Sequence, residues 1–174
     1  SLIEKVAGHL INAGGKRIRP LLTISSAKLF NYQGENHIKL AAVVEFIHNA
    51  TLLHDDVVDM SNRRRDKLTA NSVWDNKTSI LVGDFLFSRA FKLMIETNSS
   101  EILSILANSS AMISEGEVLQ LSMARNLNTT IETYYSVIRG KTAALFSASC
   151  QTGSYIAGAS KNQVKSLHDY GDAL

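Results

Sequence analysis

His37-Ile38-Lys39-Leu40-Ala41-Ala42-Val43-Val44-Glu45-Phe46-Ile47-His48-Asn49-Ala50-Thr51-Leu52-Leu53-His54-Asp55-Asp56-Val57-Val58-Asp59 decides the fold class. Written as a helix, the stretch is apolar over most of its circumference, and a helix of that kind is buried. His48, Leu52, Asp55 and Asp59 stand at i, i+4, i+7 and i+11. At about 100° per residue they form one narrow stripe, with Thr51 beside it. Isolated carboxylates do not sit in a dry core, so the stripe must face a wet cavity.

Helical patterns continue on both sides of this segment. The single proline, Pro20, follows Arg19 and can open a helix in its first turn, where the missing N–H costs nothing. That helix is predicted over Leu21–Phe30, ending at Asn31-Tyr32-Gln33-Gly34. Ser61–Lys77 reads as mostly loop, and helices resume at Ser79–Thr97 and Glu101–Ala124. Thr129-Thr130-Ile131-Glu132 and Ser160-Lys161-Asn162-Gln163 read as capping boxes. No segment of strand length alternates cleanly and no repeat is present, so the expectation is one all-α domain over residues 1–174. The last helix has barely begun at Leu174, which suggests a truncated chain.

Composition narrows the class further. With 174 residues, 45% hydrophobic and 20% charged, the chain can build a sizeable core and is neither a disordered tail nor a cysteine-stapled scaffold. Cys150 has no partner for an internal disulfide, so a reducing, cytoplasmic setting is expected, with Cys150 in the core. No run reaches the about 20 apolar residues of a membrane span, and Ser1–Val6 lacks a signal layout. A net charge of +2 without basic-aromatic spacing argues against nucleic acid.

Asp55, Asp56 and Asp59 crowd the C-terminal end of their helix, where carboxylates are disfavoured and repel one another. Such a cluster asks for a counter-charge. Oxygen ligands with room for water suit Mg²⁺, which takes one or two carboxylates plus phosphates. Asp55 and Asp59 share a face and are the expected metal ligands; Asp56 points about 100° away and is expected to support them. The bland alternative is a solvated acidic end bridged to arginines.

Three basic clusters accompany the acids. Gly14-Gly15-Lys16-Arg17-Ile18-Arg19-Pro20 sets three cations behind a diglycine that lets backbone N–H groups approach an anion. Arg63-Arg64-Arg65-Asp66-Lys67 follows the carboxylates, either neutralising them or sharing one polyanion with a metal. Gly140-Lys141-Thr142 is not a P-loop, since Tyr135 stands where its first glycine belongs, and its lysine is by default exposed. Met112, Val118, Leu119 and Leu121 read as ordinary packing, and no nucleophile constellation is present.

Six blocks in order carry a resemblance: Gly14–Pro20, Glu45–Asp59, Arg64-Arg65, Leu81-Val82-Gly83-Asp84-Phe85-Leu86, Gly116-Glu117-Val118-Leu119-Gln120-Leu121 and Gly140-Lys141-Thr142-Ala143. Together they resemble a trans-type polyprenyl diphosphate synthase of the long-chain bacterial (octaprenyl- or decaprenyl-like) kind. The resemblance implies an isoprenoid-synthase-type helical bundle around a central cavity. It also implies a Mg²⁺-dependent condensation of an allylic prenyl diphosphate with isopentenyl diphosphate. Asp55, Asp56 and Asp59 would be catalytic, with Mg²⁺ on Asp55 and Asp59. Arg64, Lys141 and Thr142 would hold the allylic diphosphate, and Lys16, Arg19, His48 and Arg65 the isopentenyl diphosphate. A homodimer and peripheral membrane contact are further expectations of the resemblance. Ala50 and Thr51, small where a bulky aromatic closes the pocket in short-chain relatives, imply a long product of quinone side-chain type.

Two departures stand out. Asp66 occupies the position of the family's usual glycine, so the loop turns differently or Asp66 pairs with Arg63 or Lys67. The family's second aspartate-rich motif would lie beyond Leu174, leaving half a metal site within residues 1–174. The alternatives are a non-catalytic fragment or regulatory subunit that binds diphosphates, and a terpene cyclase. The cyclase has no need of Lys16, Arg19 and His48.

Overall fold

The structure is a computed structural model and describes residues 1–124, 126 and 128–174. Its elements run α1 (Leu2–Ile11), α2 (Ile18–Leu29), α3 (Asn36–Val58), β1 (Arg63–Arg64), β2 (Lys67–Leu68), α4 (Ala70–Val73), α5 (Asn76–Ile95), α6 (Ser100–Met123) and α7 (Ile131–Ile138). A turn of π-helix, Arg139–Ala143, leads into α8 (Ala144–Ile156), and α9 (Lys161–Ala173) follows. The all-α expectation holds, with one small hairpin added.

α3 is the axis of the bundle. Its Leu40, Val43, Val44 and Ile47 are fully buried with Ala90 and Met94 of α5, Ile102, Ile105 and Leu106 of α6 and Leu145 of α8. Farther along, Ala50 and Leu53 join Val6 and Leu10 of α1 and Val82 and Leu86 of α5 in a second cluster. Both clusters draw on α3 because its apolar residues surround the helix, as its sequence requires. Against α2, α8 presents small residues, and its buried Ser149, Thr152 and Ser154 hydroxyls donate to carbonyls one turn earlier. Burial of these polar side chains therefore leaves no donor unmet. Cys150 is fully buried there, as expected. No helix is long and apolar enough to cross a membrane among the described residues.

Several boundaries and roles differ from the sequence reading. α2 begins at Ile18, so Pro20 falls in its first turn as expected. Ser61–Lys77 is more structured than a loop: Arg63 pairs with Leu68 and Arg64 with Lys67. Arg65 and Asp66 form the two-residue turn, both with positive φ, the conformation that matches hairpin twist. Asp66 thus turns the chain in the glycine's conformation; Arg63 Nη1 reaches its backbone carbonyl at 3.5 Å, and its carboxylate forms no ion pair among the described residues. The capping box at Ser160 and Gln163 forms. The one at Thr129 does not: Thr130 is the cap and accepts from Thr133 N–H, placing Glu132 one position too early to reciprocate. Met112, Val118 and Leu121 are exposed on α6 at 46%, 66% and 51% rather than packed.

Candidate functional site

Two neighbouring arrangements share the polar stripe of α3. The first is a cleft of about 420 Å³ where the α1–α2 loop, the start of α2, the hairpin turn and α8 meet α3. Lys16, Arg17, Arg19, His48, Arg65 and Phe146 line it, with Glu45 the one carboxylate in its wall. Lys16, Arg19, His48 and Arg65, expected together from the sequence, are thus brought together. Arg17 was counted among the three cations and Glu45 quoted in a motif, neither with a role of its own; Phe146 was not singled out, since an aromatic on a distant helix leaves no local signal.

The cleft is strongly cationic and partly dry. Arg19 stacks over Phe146 with its guanidinium carbon 4.3 Å from the ring centroid, an arrangement that suits a planar cation. Burial lowers its pKa to about 10 against the pull of Glu45, and its Nε is buried without a partner. Arg19 Nη1 lies 3.3 Å from His48 Nε2. Burial, then the charges of Arg19, Arg65, Arg64 and Arg17, hold the His48 pKa down to about 3. His48 is therefore neutral at physiological pH, accepting from Arg19 through Nε2 and keeping Nδ1–H as a donor. Arg17, with a left-handed φ of 50°, is tied to the Glu45 carboxylate and to Ile11 O. Asn49 Nδ2 donates to the same carboxylate at 3.0 Å. Gly15 suits this corner because its φ of 146° is one that L side chains rarely adopt.

The second arrangement is acidic. Asp55 is half-buried, and burial followed by neighbouring Glu117 raises its pKa to about 6; Lys141 pulls the other way and Asp59 adds to the rise. Lys141 Nζ sits 3.9 Å from Asp55 Oδ2 and 2.9 and 3.0 Å from the two Glu117 carboxylate oxygens. The expectation that Lys141 is exposed is corrected. It projects from the π turn, where Gly140 packs so closely on α6 that a Cβ would be 2.9 Å from Met112 O. Thr142 lies exposed on the same turn, and Asp59 is exposed as the cap of α3. Glu117 was quoted in a motif but given no role.

Asp56 and Arg64 are paired with each other. Asp56 is 2% exposed and takes Arg64 Nε at 3.1 Å on both oxygens and Nη2 at 2.8 Å. The neutralisation foreseen between the acidic end and the arginines therefore occurs here, leaving Arg64 Nη1 over. Arg65 is engaged too, donating to Gly14 O. Ala50 lies in the packed second cluster, whereas Thr51 is half-buried with its hydroxyl on His48 O at 2.8 Å.

The donor set fits a hard divalent cation. Asp55 offers a partly accessible carboxylate with Glu117 as an acidic neighbour, and Asp59 lies one turn on. No group of three His, Cys, Asp or Glu forms a ready-made cage among the described residues. Mg²⁺ needs none, since waters and phosphates complete its shell.

Known proteins resemble this chain in sequence and fold. The polyprenyl synthetase family profile matches residues 1–174. An octaprenyl diphosphate synthase from Escherichia coli K12 is 45% identical over 99% of this chain and 54% of its own. A decaprenyl diphosphate synthase structure from Rhodobacter capsulatus superposes with a TM-score of 0.97 at 60% identity, over 98% of this chain and 53% of that one. A Caulobacter crescentus polyprenyl synthase complexed with calcium and isoprenyl diphosphate gives 0.94 at 52% identity, over 96% and 51%. The chain spans about half the length of these relatives. With the match running from its first residue to its last and the bundle superposing throughout, the chain belongs to the polyprenyl synthetase family.

Proposed function

We propose that the full-length protein is a Mg²⁺-dependent prenyltransferase. It condenses an allylic prenyl diphosphate with isopentenyl diphosphate into a long all-trans polyprenyl diphosphate, a quinone side-chain precursor. The observation that carries this reading is the placement of a cationic cleft and a carboxylate cluster seven residues apart on one face of α3. Two anion sites side by side suit a reaction between two diphosphates. The relatives named as octaprenyl and decaprenyl diphosphate synthases support the long product.

Lys16, Arg19, His48 and Arg65 hold the isopentenyl diphosphate; Arg64, Lys141 and Thr142 hold the allylic one. Asp56 orients Arg64. Asp55 and Asp59 would hold Mg²⁺, which would supply neutralisation of the departing diphosphate. The allylic C–O bond breaks with its electron pair on the leaving oxygen, where Lys141 and the remaining Arg64 N–H offset the growing charge. The isopentenyl double bond supplies the pair for the new C–C bond. A proton then leaves the isopentenyl unit for the released diphosphate, and the terminal double bond moves inward. The apolar residues of α3 offer the cation no nucleophile. A cytoplasmic homodimer with peripheral membrane contact accompanies this reading; exposed Leu81 and Phe85 on one face of α5 support the dimer.

The test is turnover of the full-length protein with isopentenyl diphosphate, a farnesyl primer and Mg²⁺. Long polyprenyl products, lost with chelator and with Arg19→Ala, are expected. Absence of any elongated product overturns the proposal, and turnover unaffected by Arg19→Ala favours a cyclase.

A further inference from the structure

The end of α1 and the loop that follows it surrender three backbone carbonyls to cations. Arg17 donates to Ile11 O, Lys67 Nζ to Asn12 O at 2.9 Å, and Arg65 to Gly14 O. Two of the three cations come from the hairpin. His9 Nε2 returns the tie, donating to Leu68 O at 2.7 Å. Arg65 and Arg17 also line the cleft, but Lys67 does not. Lys67 is exposed, belongs to no ion pair among the described residues, and spends its ammonium on a loop carbonyl 55 residues away in sequence. A solvated lysine normally stays mobile, since ordering its long side chain is entropically unfavourable. Its contact has consequences for Lys16, four residues after Asn12, because Gly14 and Gly15, with φ of 91° and 146°, give the intervening backbone little stiffness of its own.

We propose that Lys67 is a positioning residue for the cationic cleft: by pinning Asn12 O it fixes the diglycine loop, so that Lys16 meets the anion without searching. This rests on the diphosphate reading above. Lys67 touches neither substrate nor metal, and it acts through the loop.

The test uses the full-length protein and inorganic pyrophosphate, titrated calorimetrically in EDTA so that the metal-dependent site is silent. Lys67→Gln is expected to weaken binding roughly threefold to tenfold, the net range for one ordinary hydrogen bond, as suits an exposed contact that acts through loop geometry. The deficit persists at about 0.5 M salt, where a loss of bulk surface charge is screened away. Lys67→Arg recovers most of the affinity, and the thermal midpoint is unchanged. In turnover, KM for isopentenyl diphosphate rises while kcat and the allylic KM hold. Affinity equal to the parent, a deficit that vanishes in salt, or an equal rise in both KM values overturns the proposal. A parent that binds pyrophosphate but forms no product removes the proposed reaction and leaves the role of Lys67 standing.

Discussion

His48 and Asp55 carry opposite consequences for pH. An unfolded imidazole binds its proton near 6.5, whereas in the cationic cleft His48 does so only near 3. Between these values the unfolded chain holds the extra proton, so stability falls as pH falls, by up to about 1.4 kcal/mol per pH unit. His48→Gln is expected to flatten the acid limb of a denaturation-midpoint profile between these two values. An unchanged slope would refute the neutral, buried imidazole. Asp55 has a folded pKa of about 6 against 3.8 when free, so the folded state holds the extra proton there and stability falls as pH rises through that window. Asp55→Asn relieves this penalty. Without metal, its melting temperature at pH 8 should equal or exceed the parent's, while turnover falls by roughly 10²-fold or more. A variant that melts lower would mean the carboxylate stabilises the fold instead.

The π turn and the hairpin are the elements that deliver side chains to the site. Gly140 and Gly116 let the turn lie against α6, and Lys141 reaches Glu117 from there. Gly140→Ala puts a methyl 3.1 Å from Gly116 Cα and should destabilise by about 1–3 kcal/mol, the usual overpacking range. It should also raise the allylic KM; a normal urea midpoint with normal KM would show that the turn yields freely. These elements also mark the limit of what sequence conveys. α3 was legible because its apolar residues and acidic end follow one period, and the Ser160 cap because both partners lie three residues apart. The hairpin was not, since Arg65-Asp66 takes left-handed φ without the Asn-Gly or Asp-Gly pair that signals such turns. Nor was the commitment of Arg64 to Asp56 over other anions. Basic residues near acids in sequence leave open which ones meet, and burial of Asp56 decides it. Lys141 was read as exposed because Glu117 stands 24 residues away.

The bundle as assembled leaves Leu81 67% and Phe85 39% exposed on successive turns of α5. Covered by a second copy, this stripe would bury its apolar area at about 25 cal/mol per Å². If the proposed dimer forms through this stripe, Leu81→Glu with Phe85→Glu shifts the full-length protein to monomer in sedimentation velocity; an unmoved sedimentation coefficient would place the interface elsewhere. α3 has a different meaning for an enzyme that elongates repeatedly. His48 and Asp55 are fixed on one rigid rod, about 10 Å apart along its axis. In the proposed reaction each condensation would leave the lengthened chain carrying the diphosphate that entered through the cationic cleft. Before the next round that headgroup must travel one step along α3 to the carboxylates, while its tail slides deeper by one isoprene unit. The helix is thus a track of fixed gauge: step length stays constant however long the product grows, and only the room ahead of the tail determines when elongation stops.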